Sequence, residues 1–455
     1  MSKTIKIRKG LDVRLVGEAE KVKVEAPVAK TYALKPTDFH GLIPKMVKKV
    51  GEQVKAGTPI FFDKYRDEIQ YVSPVSGTVK EIKRGAKRKI LEVIIDADVT
   101  ISYEETTVKA IDSLSKDEAK SLLLKGGLWP MIKMRPIDIV ANPKDEPKAI
   151  FVSGFDTHPL SPDYDFLMHG NNENFQAGIS VLGKLTTGKV NLQLRSNIVA
   201  DKAYSAVKGA EITKVSGVHP AGNVGPQIHA INPINKGETI WVVNAQDVAI
   251  IGKFALTGKY DASKFVALTG SKATNRKYFK TIIGAELSTL FSGNVETENT
   301  RLVSGNPLTG LKVEAKDSYL GFYDYQLTAL PEGDDYKFFL TEGWLSLGFG
   351  KFSASRAYPT WMMPKSKRYD IDTNLNGEER AFVVSEQYEK VFPFDIYPVH
   401  LLKSIVINDI DAMENLGIYE VAPEDFALCE FVCTSKIDSQ SIVREGLDVI
   451  LKECF

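Results

Sequence analysis

A multidomain α/β protein is what this sequence predicts, and three observations carry the prediction. Residues 1–100 break into short β-branched and aromatic runs separated by turn residues, the pattern of an all-β module. From about residue 148 to 270, apolar strand-like runs alternate with helical stretches, which implies βαβ units around a mainly parallel sheet. The length, 455 residues, exceeds what one core supports, so three or four domains follow.

In chain order, the first unit (1–100) holds the strand candidates TIKIRKG, VKVEAPV, GTPIFF, DEIQYV, GTVKEI and KILEVII. VKKVGEQVKAGTPIF sets a strand, turn and strand, and SPVSGTV sets its symmetric return. This pair resembles the biotinyl/lipoyl barrel-sandwich fold. Carriers of that fold present an acceptor lysine at a hairpin tip, seven residues before the Ser of Ser-Pro; here Arg66 stands at that spacing from Ser73 and Lys64 stands nine before it. Arginine cannot be acylated there, so the expectation is a structural module with two extra hairpin residues.

After a linker, Ser115-Lys116-Asp117-Glu118 is a capping box, its hydroxyl and carboxylate satisfying free amides at a helix start, and the helix ends at Gly126-Gly127. A Rossmann-like α/β domain is expected over 101–270, with strands KAIFVSG, KVNLQLR, EITKVSGV and TIWVVN and helices ENFQAGISVLGKL and DVAIIGKFAL. GKLTTGKV falls one residue short of a phosphate loop, with Val190 where magnesium would need Ser or Thr. It also follows a helix and precedes a strand, the reverse of the order that aims a helix N-terminus at phosphate. No G-x-G-x-x-G follows a candidate strand. Residues 271–345 mix strands with one expected helix, KTIIGAELSTLF, as a small β-grasp-like α+β domain. A C-terminal helical domain is expected over 346–455, with Pro423-Glu424-Asp425 opening one helix.

The 58 Lys or Arg balance the 58 Asp or Glu, which excludes a strongly charged partner for the whole chain. Residues 1–99 hold 21 basic against 13 acidic residues and 401–455 hold 4 against 11, so opposite ends suit different neighbours. Three cysteines near the end suit a reducing compartment, and Cys429 and Cys433, one helical turn apart, read as packing residues. There is no apolar leader and no run long enough to span a membrane, so a cytoplasmic location with membrane contact only through partners is expected.

Three clusters are candidate sites. In GGLWPMIKMRPIDIV, Trp129, Met131, Lys133 and Arg135 form an apolar segment edged with cations, able to grip a partner or a planar ring, or else to line a core. His219-Pro-Ala-Gly-Asn-Val-Gly-Pro-Gln-Ile-His229 reads as a loop at the carboxyl end of a strand, where α/β sheets bind ligands, or as a rigid turn. Lys80, Lys83, Arg84, Lys87, Arg88 and Lys89 crowd around one turn as a docking surface, or are simply solvated.

IKIRKGLDVRLVG, GVHPAGNVGPQIHAINP, WPMIKMRP and ERAFVVSEQYEKVFPFDIYP…EDFALCEFVCTSK together resemble the NqrA family, the A subunits of bacterial sodium-translocating NADH:quinone reductases, over essentially the whole chain. The order of modules is more distantly similar to the C subunit of the Rnf complex and the flavin-carrying subunit of complex I. The resemblance implies a peripheral subunit on the cytoplasmic side of the inner membrane, in a complex with the B to F subunits, docking chiefly on the membrane-embedded B subunit. It also implies quinone as a possible ligand of this end of the complex, and Trp129, Met131, Lys133, Arg135, His219 and His229 are the residues expected to contact quinone or a partner. NADH, flavins and iron–sulfur centres would belong to other subunits. Where the distant relatives have a carboxylate-rich turn, VSGFDTHPLSPD keeps only Asp156 before His158-Pro159. Their glycine-rich flavin loop and cluster cysteines are missing too, so no flavin or iron–sulfur cofactor, no metal and no catalytic residue is expected in this chain, which alternatively serves only assembly.

Overall fold

The computed structural model describes residues 3–454 apart from 336, 339 and 344. The N-terminal module pairs a four-stranded sheet (Thr31–Leu34, Ile90–Ala97, Gly77–Arg84, Gln53–Val54) with a three-stranded one (Pro44–Met46, Pro59–Asp63, Arg66–Val72). Ile60, Phe61, Ile69, Val79, Val93 and Ile95 fill the space between them. The segment before it lies elsewhere: Lys3–Lys6 adds a parallel edge strand to Ala210–Ser216, and Lys23–Glu25 does the same to Tyr278–Ile282.

The hairpin tip differs from the spacing argument. A break in register between Phe62 and Asp63 puts Lys64 and Tyr65 at the tip, both exposed, while Arg66 already belongs to the return strand. Arg66 is held by the buried Asp63 at 2.8 Å and donates to the Val140 carbonyl at 2.8 Å, so it ties this module to the next.

The central sheet has seven strands in the order Lys3–Lys6, Ala210–Ser216, Lys189–Arg195, Ala149–Ser153, Ile240–Val243, Ile132–Arg135, Ile139–Val140. The first five run parallel, Ile132–Arg135 runs against them, and Ile139–Val140 pairs antiparallel with Ile132–Arg135 at the edge. Chain order reverses between Ala149–Ser153 and Ile240–Val243, which makes their carboxyl ends the switch point of the sheet. GKLTTGKV is a helix-to-strand turn, between the end of Asn172–Lys184 and the start of Lys189–Arg195. The capping box at Ser115 and Glu118 is present as read.

A six-stranded sheet follows, ordered Leu311–Val313, Thr300–Ser304, Gln326–Pro331, Ser263–Thr269, Tyr278–Ile282, Lys23–Glu25. Of the helix expected over KTIIGAELSTLF only the last turn forms: the first three residues are strand and a turn follows. Tyr278–Ile282 pairs with Ser263–Thr269, and Gly284 turns the chain at φ 75°, so close that a Cβ would lie 2.1 Å from the Ala33 carbonyl. Only Ser288–Phe291 is helical. The C-terminal helices begin at Tyr388; from 346 to 387, Gly, Ser, Pro and Asn interrupt any apolar period, and the one helical turn described there is Pro359–Met362.

The helices Asn172–Lys184 and Ala245–Thr257 touch backbone to backbone where a Cβ on Gly178 would lie 2.0 Å from the Val248 carbonyl and one on Gly252 1.7 Å from that of Asn174. Gly183 in the same pair faces open space. Gly252→Ala therefore lowers stability by about 2 kcal/mol, because overpacking outweighs the helix propensity gain of about 1 kcal/mol. Gly183→Ala raises it by up to about 1 kcal/mol. Urea unfolding of both variants checks the opposite signs.

Candidate functional site at the switch point of the sheet

A cavity of about 480 Å³ opens at the carboxyl ends of Ala149–Ser153 and Ile240–Val243. Three other parts of the chain close it: the strand Ile132–Arg135 with its following turn, the segments 305–310 and 323–326 of the six-stranded sheet, and Pro423, Glu424 and Gln440 from the C-terminal helices. Met131, Phe155, Val242 and Tyr323 supply apolar wall, and Lys133, Asp138, Asn223, Asp247 and Glu424 supply polar groups.

Arg135, 3% exposed, is the central charge. Its guanidinium donates to Glu424 Oε1 at 2.6 Å and to Asp425 Oδ2 at 3.2 Å, with Asp138 Oδ1 at 3.7 Å. Lys133 pairs with Asp138 at 2.7 Å and its ammonium lies 5.3 Å from the centre of the Tyr323 ring, whose hydroxyl donates to the Pro130 carbonyl. Three carboxylates thus share two cations. Burial pushes Asp425 up to about 7 against the pull of Arg135, and its Oδ1 has no partner.

At the rear wall, Asp247 accepts a hydrogen bond from Tyr325 at 2.5 Å, and burial pushes it up to about 6. Lys264, 2% exposed, lies 4.5 Å from the centre of the Tyr325 ring and donates to the Phe322 carbonyl at 2.8 Å; burial brings it down to about 8. The roof is the loop after Ser153. Burial works against the charge on Asp156, but His158 beside it holds its carboxyl down at about 2. His219 packs 4.8 Å from the His158 ring, and burial together with that neighbouring charge takes it down to about 3, so it stays neutral. Asn223, 3% exposed, lines the cavity with both side-chain amide atoms unpartnered. A buried amide without protein partners calls for an explanation, and a ligand atom or a water in the cavity would each supply one. The loop from Phe155 to Tyr164 also walls a wider cleft of about 1100 Å³ on its far side.

Three family models match the chain: the NqrA N-terminal barrel-sandwich hybrid domain over residues 5–98, the NqrA second alpha/beta domain over 114–260, and the NQRA C-terminal domain over 265–315. Relatives described as the A subunit of Na+-translocating NADH-quinone reductase align nearly end to end. The one from Rhodopirellula baltica is 36% identical over 98% of each chain, and the one from Pasteurella multocida is 35% identical over 99% of this chain and all of its own. This chain belongs to the NqrA family. Among solved structures, NAD+-reducing NiFe-hydrogenase in the H2-reduced state overlaps loosely, at 10% identity and a TM-score of 0.39 over 75% of this chain and 64% of the other. As a member of the NqrA family, the chain is part of a sodium-translocating NADH–quinone reductase, a translocase complex. No helix among the described residues is long and apolar enough to cross a membrane.

The NqrA fold brings together only part of the candidate cluster. Met131, Lys133 and Arg135 line the cavity. Trp129 is fully buried behind it, edge-on to Trp241 at 5.3 Å with its indole donating to the Ala141 carbonyl. His219 sits one ring back, behind His158. His229 departs from the expected loop: Val224–Ile231 is a helix, so its second half points away, and His229 binds Glu420 at 2.7 Å and packs on Phe394. Of the basic turn, Lys80, Arg84, Lys87, Arg88 and Lys89 are exposed, while Lys83 is tied to Glu92 at 3.0 Å. Cys429 and Cys433 are buried in the helical unit and Cys454 is exposed.

Sequence reading passes over Asn223, Asp247, Tyr323 and the Glu424-Asp425 pair. Asn223 stands inside the quoted histidine loop, and Glu424-Asp425 read as helix-start acids, a role that their proximity to Arg135 supersedes. Asp247 reads as one more first-turn acid of its helix.

Because the folded chain holds the Asp247 proton more tightly than the unfolded chain, ionisation between about pH 4 and 7 costs native stability. Asp247→Asn escapes that cost. Its stability relative to the parent chain therefore rises by about 3 kcal/mol across that range, as read from urea midpoints at both ends.

Proposed function

We propose that this chain is the peripheral subunit on the cytoplasmic face of the complex, docking on the membrane-embedded B subunit among its partners B to F, and that its switch-point cavity receives the quinone headgroup. The observation that carries the reading is the cavity itself: a slot of mixed apolar and charged wall, with the unpartnered Asn223 amide, at the carboxyl ends of a parallel sheet. Quinone reduction consumes two electrons and two protons and yields the quinol. In this reading the electrons come from flavin or iron–sulfur centres of other subunits, the chain holding no such cofactor of its own. Asn223 donates to one quinone carbonyl, the Lys133 ammonium faces the other, and Met131 and Tyr323 sandwich the ring. Asp425 and Asp247, both pushed up toward neutral pH by burial, are the groups able to hold and release protons beside it.

One observation favours a second reading, a purely structural subunit. Lys133, Arg135 and His158 already have carboxylate partners, so each must exchange or share one to engage a ligand.

In the assembled complex, Asn223→Leu raises KM for quinone about tenfold, the worth of one good hydrogen bond, with NADH oxidation by an artificial acceptor unchanged. A photoreactive quinone is expected to label residues 131–138. Labelling confined to the membrane-embedded partner, with an unaltered KM, leaves the structural reading standing. For docking, the exposed tip of the hairpin between Gly77–Arg84 and Ile90–Ala97 is the candidate contact. Reversing Lys87, Arg88 and Lys89 to Glu should strip the chain from the membrane subunits during purification at moderate salt; full retention rules this contact out.

A further inference from the structure

Between the six-stranded sheet and the first C-terminal helix lies a loop unit that neither the cavity nor the basic hairpin uses. Leu345, Leu347, Phe349, Trp361 and Met362 in it are 50%, 80%, 55%, 60% and 66% exposed. Large apolar side chains crowded in one short stretch at such exposure mark a surface meant to be covered.

The unit is built, with its own internal bonds. Thr360 accepts from the Ser353 amide and donates to the Lys351 carbonyl, each at 3.0 Å, and Gly348 lies so close to the Tyr358 ring that a Cβ there would meet it at 2.1 Å. Lys351 donates to the Gly343 carbonyl and Lys367 to that of Phe349. Arg14 pins the whole to the body through the Pro364 carbonyl at 2.8 Å and the Thr360 carbonyl at 3.3 Å. The apolar side chains are therefore presented by a folded platform.

Charge decides what covers it. Residues 340–368 contain five Lys or Arg, at 351, 356, 365, 367 and 368, against the single acid Glu342, and Arg368 also pairs with Glu18 of the N-terminal segment at 3.4 Å. The cations are interleaved with the apolar residues: Arg356 lies 5.4 Å from the Trp361 ring centre, and Lys365 and Arg368 are exposed a few residues on. Protein interfaces shed lysine from their centres. A mixture of Leu, Phe and Trp with Lys and Arg, nearly free of acids, suits the boundary between anionic headgroups and acyl chains, where rings and aliphatic groups sink in and the long cationic stems reach back to phosphate.

We propose that the loop unit 340–368 seats this chain directly on an anionic lipid surface, with Leu345, Leu347, Phe349, Trp361 and Met362 entering the headgroup–acyl boundary. The seat is separate from the quinone cavity and from the basic hairpin.

The test is flotation of the full-length chain with vesicles of phosphatidylcholine alone and of phosphatidylcholine mixed with phosphatidylglycerol. The expected result is binding to the mixed vesicles only, weakened by salt, with brominated lipid quenching the chain's tryptophan fluorescence. Because Trp344 lies in the same stretch of sequence, the quenching is read in a Trp344→Phe background, where Trp361→Phe should float normally and lose most of it. The double variant L345D/L347D should float at least tenfold less, and K365E/R368E about tenfold less. L311D, at a residue 73% exposed on an edge strand of the six-stranded sheet, should float like the parent, and circular dichroism shows that all variants are folded. Equal flotation of the parent and L345D/L347D overturns the proposal. So does binding confined to membranes that contain the partner subunits, which would make the patch a protein contact.

Discussion

Arg135 is a guanidinium taken almost wholly out of water, and bare burial of such a charge costs several kcal/mol. Its partners come from two places. Asp138 lies in the turn just after its own strand, while Glu424 and Asp425 lie 289 and 290 positions away along the chain. The charge is tolerable only when the C-terminal helices close over the edge of the central sheet. That closure sets the position of Pro423 and Glu424 in the cavity wall and brings Asp425 so near Gly225 that a Cβ there would lie 2.4 Å from its carboxylate. One ion cluster thereby joins the sheet edge, the helix Val224–Ile231 and the tail. Since three carboxylates meet two cations, the cluster also keeps a carboxyl that can take a proton near neutral pH.

The cavity follows from topology. At the switch point, the chain leaves Ala149–Ser153 toward one side of the sheet and returns at Ile240–Val243 on the other, so the loops above them part. The six-stranded sheet fills part of the gap with Tyr323 and Tyr325, and the loop after Ser153 fills another part with His158, backed by His219. What is left is a slot at the meeting of three units, with Asp247 in its rear wall and Lys264 buried behind it. A site assembled in this way is sensitive to how the units sit on one another, which suits a protein that works inside a larger complex.

Much of the local structure is legible in the residues. The strands KAIFVSG, KVNLQLR, EITKVSGV and TIWVVN, the capping box at Ser115, and the helix-to-strand turn at GKLTTGKV all rest on short-range physics: periodicity, caps and turn residues. Local reading fails where long-range pairing overrides local preference. KTIIGAELSTLF has helical composition, yet sheet pairing with Ser263–Thr269 holds its first three residues extended and the close approach of Gly284 to Ala33 turns the chain, so that only Ser288–Phe291 is helical. His229 reads as a loop residue because glycine and proline precede it, whereas Pro226 sits in the first turn of a helix, where it fits. In the hairpin, a break in register puts Lys64 at the tip, and no count of residues back from Ser73 could show that.

By itself, then, the sequence determined the α/β class, most elements of the central sheet, the family through its HPAG and DFALCEFVC segments, and the presence of Met131, Lys133 and Arg135 in one cation-edged stretch. Tertiary structure alone decided that these three face a cavity while Trp129 and His229 do not, that Asn223 and Asp247 join them, and that Asp425 is buried beside Arg135. The reason is physical. Caps, periods and turns act over a few residues and are written locally. The burial that shifts a carboxyl or leaves an amide unpartnered depends on groups hundreds of positions apart, and appears only once the chain has closed.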